Sequence, residues 1–141
     1  MIRFVDTSGW AAWLSPRDSF HASARKVVVE SRRANGRLLT SNWVLMELTA
    51  LFVSPMRISK PIQIEFFDSM RAWKRLEIVT IDPVLEAGAW DLWSGRPDKN
   101  WSLVDCSTFV LMNRRGLTDA TTSDHPFEQA GFNRLLKPAT S

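Results

Sequence analysis

Ile2-Arg3-Phe4-Val5-Asp6-Thr7-Ser8 is a short β-like run that stops on an acid and two hydroxyl residues. Val and Phe favour an extended chain, while Thr7 or Ser8 can cap a helix that runs through Leu14. The same alternation continues outward from this opening. Asp18 or Ser19 can cap a second helix through Arg33, closed by Asn35-Gly36. Leu38 to Thr40 reads as a second strand, and Ser41 or Asn42 caps an apolar helix from Trp43 to Val53. Lys60 to Lys74 carries Ile62, Phe66, Met70 and Trp73 near helical spacing. Glu77 to Ile81 reads as a third strand, and Asp82-Pro83 opens another helix. After a loop from Gly95 to Asn100, Ser102 to Asn113 is helical, Thr118 to Thr122 is a fourth strand, and Asp124 to Ala130 is a short helix or turn. Phe132 to Leu136 offers a fifth strand.

Short strands alternating with helices imply an α/β fold, with helices layered on a mainly parallel sheet of four to five strands. No repeat or linker divides the sequence, so a single domain over 1–141 is expected. The 45% hydrophobic and 23% charged content is that of a folded domain and excludes a disordered chain. No apolar run approaches the ~20 residues of a membrane span. Asp6 interrupts the N-terminus where a signal peptide would stay apolar. One cysteine, Cys106, and two histidines exclude a disulfide framework and a Cys- or His-rich metal site. A reducing cytoplasmic setting is expected.

In parallel sheets the chemistry sits beyond the carboxyl ends of the strands. That rule points to Asp6 and to Thr122-Ser123-Asp124. Glu47 and Asp105 are the other acids that draw notice. Each of the four has an ordinary reading. Asp6 and Asp124 can be turn or cap residues, Glu47 can point to solvent, and Asp105 can close a capping box with Ser102. Together they read differently. Glu47 lies in Trp43-Val44-Leu45-Met46-Glu47-Leu48 with no basic partner nearby, and burying it there would be costly. If the first and fourth strands are neighbours, Asp6 and Asp124 emerge side by side. Converging carboxylates repel unless a divalent cation neutralises them, and Mg²⁺ or Mn²⁺ suits such oxygen donors. A pair of these ions is a known device for in-line attack on a phosphodiester.

The order Val5-Asp6-Thr7-Ser8, then Glu47, then Trp101-Ser102-Leu103-Val104-Asp105-Cys106, then Thr122-Ser123-Asp124-His125-Pro126-Phe127-Glu128-Gln129-Ala130-Gly131-Phe132 resembles a PIN-domain ribonuclease. Within that family it is similar to the VapC-like toxins of toxin–antitoxin pairs and their stand-alone relatives. The resemblance spans nearly the whole chain and implies a three-layer α/β/α sandwich. It also implies Mg²⁺ or Mn²⁺ dependence, cleavage of RNA, frequent homodimers, and a small antitoxin that inserts into the active-site groove. By this resemblance Asp6 and Asp105 are the main metal ligands, and Glu47 and Asp124 are the other two acids. Thr7 and Thr122 match hydroxyl positions that orient water or ligand. His125-Pro126 departs from the pattern, which more often has a second His or Arg before the Phe. Asp98 is a possible accessory acid, although beside Pro97 it reads as a turn residue.

Basic residues are scattered through Arg25, Lys26, Arg32, Arg33 and Arg37, then Arg114 and Arg115. Arg96 and Lys99, in the loop before the Asp105 helix, are the better candidates for phosphate contact. The net charge is +3, but without the four site acids 18 basic residues face 11 acidic ones. Trp10, Trp13, Trp43 and Trp101 could stack bases, although Trp at helical spacing is more often core. Two other readings compete. An Asp-nucleophile phosphatase needs an acid two positions after Asp6, where Ser8 stands, and nothing matches its lysine. A non-catalytic PIN-like module binding RNA or protein would have no need of four self-repelling acids.

Overall fold

The computed structural model describes residues 1–138; the last three residues of the expected domain lie outside them. The elements run β1 (Ile2–Val5), α1 (Thr7–Leu14), α2 (His21–Arg33), β2 (Arg37–Ser41), α3 (Asn42–Val53), α4 (Lys60–Ala72), β3 (Leu76–Val79), α5 (Pro83–Gly95), α6 (Leu103–Arg115), β4 (Asp119–Thr121), α7 (His125–Gln129) and β5 (Asn133–Arg134). The alternation read from the sequence is present throughout. The largest differences are at the C-terminal end, where β4 and β5 are shorter than the expected Thr118 to Thr122 and Phe132 to Leu136.

The five strands form one sheet in the order β3-β2-β1-β4-β5, and every pairing is parallel. From β1 the chain first builds outward through β2 and β3, then returns to add β4 and β5 on the other side. The crevice between β1 and β4 is therefore the topological switch point, where open α/β sheets place their ligands. Register makes this local. Val5 lies opposite Thr121, so the next residue on each strand, Asp6 and Thr122, leaves the sheet at the same height.

Core packing locks that edge in place. Trp10, fully buried on α1, meets Trp13, Phe66 and Trp73 edge-on with ring centroids 6.0 to 6.3 Å apart. Its indole N–H donates to Thr40 Oγ1 at 3.1 Å, and Thr40 donates to the Val5 carbonyl at 2.9 Å. The first helix is thereby tied to two strands by satisfied polar groups inside an apolar cluster. Trp101, also read from the sequence as a possible base platform, is buried and packs edge-on against Phe109 at 5.2 Å. Burying rings of this size contributes roughly 1.5–3 kcal/mol each. Among the described residues no helix is long and apolar enough to cross a membrane.

Candidate active site

Asp6 occupies the N-cap position of α1 but makes no side-chain cap bond. Its carboxylate instead lies within the protein, with the residue 1% exposed. Oδ2 accepts from Thr122 Oγ1 at 3.1 Å, whereas Oδ1 is buried with no hydrogen-bond partner. Asp124 likewise holds the N-cap position of α7 without capping it. Its backbone N–H donates to Thr122 Oγ1 at 3.0 Å. Asp105 does cap. Its Oδ2 accepts from the Ser102 N–H at 3.1 Å while Ser102 Oγ accepts from the Asp105 N–H at 3.0 Å. The ordinary reading of Asp105 is thus correct for one of its oxygens.

These three acids converge: one carboxylate oxygen from each of Asp6, Asp105 and Asp124 lies within 4.8 Å of the others. Glu47 is not in this group. It is exposed on α3, so the expectation of a carboxylate trapped among apolar residues is corrected. The reason is that α3 buries Val44, Leu48 and Phe52 on one stripe and turns Glu47 toward solvent, where water stabilises it. Glu47 still contributes charge, because its field helps to raise both Asp6 and Asp105.

The electrostatics follow from crowding. Burial pushes Asp6 well above its ordinary value, and Asp124 and Asp105 push it further. Burial raises Asp105 to about 6, against the lowering effect of its bonds with Ser102. Asp124 is exposed as a residue, yet desolvation of its carboxyl group raises it too, opposed by the neighbouring Asp6 carboxyl group and by the Arg134 charge. Cys106 beside them is pushed up to about 11 by burial and by Asp105, so it is a packed thiol and not a nucleophile. The residues fit a hard divalent cation: three carboxylates converge, and Asp6 also carries a buried oxygen, Oδ1, with no hydrogen-bond partner.

The hydroxyl positions separate. Thr122 is at the centre of the hydrogen bonding just described, whereas Thr7 is buried with its Oγ1 unpartnered. Asp98 is outside the cluster. It holds Arg96 in a two-pronged pair, both contacts at 3.0 Å, which is the turn role. Arg96 also lies 5.1 Å over the Trp101 ring, so its guanidinium is already engaged. Most of the scattered basic residues are ordinary surface groups: Lys26 faces Glu30, Arg37 and Arg115 share Glu77, and Arg32 stacks on Trp73. A cation whose charge does act on one of the acids, Asp124, is Arg134, which sequence reasoning missed. Its Nη1 donates to the Ser123 carbonyl at 2.9 Å and its Nε pairs with Glu128. Ser8 was missed as well; it bonds both Thr122 Oγ1 and the Ser123 N–H at 3.0 Å. The available signal for both was adjacency, since each lies next to the 122–124 turn once β1 and β5 flank β4.

The sequence matches the PIN domain family over residues 3–133. It is 28% identical, over 137 residues, to the 23S rRNA-specific endonuclease VapC20 of Mycobacterium tuberculosis, covering 92% of this chain and 94% of that protein. The crystal structure of Mycobacterium tuberculosis VapC20, described as a sarcin-ricin loop cleaving toxin, superposes with a TM-score of 0.82 at 27% identity, covering 96% of this chain and 99% of that one. VapBC2 from Rickettsia felis, bound to a DNA fragment from its promoter, gives a TM-score of 0.68 at 16% identity, covering 92% and 93%, and supports the fold alone. Fold, switch-point acids and family match agree, and the chain belongs to the PIN-domain family.

Proposed function

We propose that the protein is a metal-dependent endoribonuclease that hydrolyses RNA phosphodiesters. The observation that carries this reading is the convergence of Asp6, Asp105 and Asp124 within 4.8 Å at the sheet's switch point. These three residues would hold Mg²⁺ or Mn²⁺, and Glu47 adds negative charge from the rim. When bound, such an ion supplies Lewis acidity and a water acidified for attack at phosphorus. The chain's own residues do the rest. Thr122 holds Asp6 in place, Asp105 is held by the start of α6, and Arg134 offers a positive charge beside Asp124. Thr7, with its buried free hydroxyl, is suited to orient a ligand.

The toxin role is proposed from VapC20, which is described as a toxin. A small antitoxin and a second copy of the chain are the proposed protein partners. Exposed apolar side chains on α3, α4 and α5, among them Met46, Val53, Ile64, Trp90 and Trp93, provide surface that such partners would cover. A buried, reduced Cys106 and an RNA substrate suit the cytoplasm.

Purified protein is expected to cut RNA when Mn²⁺ or Mg²⁺ is present and to stop in EDTA. Asp6→Asn is expected to abolish cutting. Equal cleavage by wild type and by the Asp6→Asn, Asp105→Asn double variant would sink the assignment. Expression is expected to arrest growth, and arrest that persists in the acid variants would separate toxicity from cleavage.

A further inference from the structure

Thr122 Oγ1 has three polar neighbours and only one hydrogen to give. The Asp124 backbone N–H donates to it at 3.0 Å. Asp6 Oδ2 lies 3.1 Å away, and Ser8 Oγ lies 3.0 Å away. The last two bonds fix each other's direction. A carboxylate that holds a cation is ionised and only accepts, so in that state Thr122 gives its hydrogen to Asp6. Thr122 then has none left for Ser8, and Ser8 must donate to Thr122. Ser8 Oγ in turn accepts from the Ser123 backbone N–H at 3.0 Å. The result is a chain with one direction: Ser123 to Ser8, Ser8 to Thr122, Thr122 to Asp6.

This chain has one end in the acid cluster. It occupies Asp6 Oδ2 and leaves Oδ1 buried without a partner. We propose that Ser8 is a positioning residue for the cation site: its hydroxyl aims the Thr122 hydroxyl at Asp6 Oδ2, which reserves Asp6 Oδ1 for a divalent ion. The inference rests on the reading of the acid cluster as a metal site. Without the Ser8 hydroxyl, the Ser123 N–H loses its acceptor and Thr122 loses one of its two donors. The Thr122 rotor and the 122–124 turn that carries Asp124 are then both less constrained. Loss of a hydrogen-bond partner behind a ligand commonly weakens metal binding by 10- to 100-fold.

The test is calorimetric titration of Mn²⁺ into wild type, Ser8→Ala, Ser8→Thr and Asp6→Asn, paired with kcat and KM on an RNA substrate. Ser8→Ala is expected to bind Mn²⁺ about 10-fold more weakly and to lose kcat in proportion, with KM for RNA unchanged. Ser8→Thr keeps the hydroxyl and is expected to stay within about two-fold of wild type. Where Ser8→Ala gives no folded protein, Ser8→Cys carries the same expectation, because its thiol is of similar size but bonds weakly. Wild-type Mn²⁺ affinity in Ser8→Ala or Ser8→Cys overturns the proposal, as does equal weakening in Ser8→Ala and Ser8→Thr. If wild type and Asp6→Asn titrate alike, the metal-site reading itself fails. If only Asp6→Asn loses Mn²⁺, that reading stands and the role of Ser8 falls.

Discussion

Asp105 accepts from the Ser102 backbone N–H at 3.1 Å through one carboxylate oxygen, while the same carboxylate faces Asp6 and Asp124. One side chain is thus both a helix cap and a member of the acid cluster. The two roles come apart by substitution. Asp105→Asn keeps an oxygen that can accept from Ser102 but loses the charge. Its thermal stability in EDTA near neutral pH is expected to match or exceed wild type, because a repulsive charge is gone. RNA cleavage is expected to fall at least about 100-fold, as for a lost ligand group. Asp105→Ala also loses the cap bond and is expected to cost about 1 kcal/mol relative to Asp105→Asn in urea unfolding. Equal stability of the two variants would remove the capping role.

The pH dependence of stability has a definite sign. Asp6, Asp105 and Asp124 all have carboxyl groups raised in the folded protein, Asp105 to about 6. Folding therefore favours their protonated forms. That contribution is complete below the ordinary carboxylate range and is lost as pH climbs through about 6. Glu77 works in the opposite sense. Its hydrogen bond with Arg115 holds it low, so its contribution is present above the ordinary range and fades as pH falls. In EDTA the melting temperature is expected to drop between about pH 5 and pH 7.5. Mn²⁺ is expected to raise it more at the higher pH, since protons and the ion compete for the same oxygens. A metal-free melting temperature that is flat or rising over this window would contradict the desolvated cluster.

The fold was largely legible because its signals are local. Each strand is a short β-rich run, and each long helix has a cap or periodic stripe, as at Asp82 for α5 and Ser41 for α3. The candidate site is legible where residues sit just past strand ends, as Asp6 and Thr122 do. It was less legible where distance along the chain hides adjacency. Ser8 and Thr122 are 114 positions apart, and nothing in either segment announces their bond. Glu47 shows the opposite limit. Its apolar neighbours in sequence suggested burial, but a helix shows different residues on different sides, and the stripe of Val44, Leu48 and Phe52 takes the core. Arg96 lay in the expected loop, but Asp98 and Trp101 engage its guanidinium.

Gly9 is where fold and site meet. It is buried on α1, and a Cβ there would overlap the Thr121 carbonyl oxygen and lie 3.0 Å from Val5 Cγ1. That same carbonyl accepts from the Asp6 N–H at 3.2 Å. Gly9→Ala is expected to force α1 and β4 apart, at a cost of about 1–3 kcal/mol in unfolding measurements. Mn²⁺ affinity is expected to fall as well, because Asp6 and Thr122 separate with the elements that carry them. Gly95→Ala, where the added methyl meets nothing within 4 Å, is the matched control and is expected to leave both unchanged. Wild-type Mn²⁺ binding in Gly9→Ala would show that the junction tolerates the methyl.

Arg134 and Arg96 give opposite expectations for RNA binding. Arg96 is committed to Asp98 through two contacts at 3.0 Å, and Asp98 is held low by that partner. Arg134 is also paired, through Nε to Glu128, but its charge acts on Asp124 and its Nη1 holds the Ser123 carbonyl. A phosphate arriving at the cluster meets the charge of Arg134, so Arg134→Gln is expected to raise KM for RNA more than it lowers kcat. The slope of log KM against log salt is expected to shrink by about one, as for the loss of one phosphate contact. Arg96→Gln is expected to leave both KM and slope near wild type. Steady-state cleavage at several salt concentrations checks the pair. A large KM change in Arg96→Gln with none in Arg134→Gln would return the phosphate contact to the loop before α6.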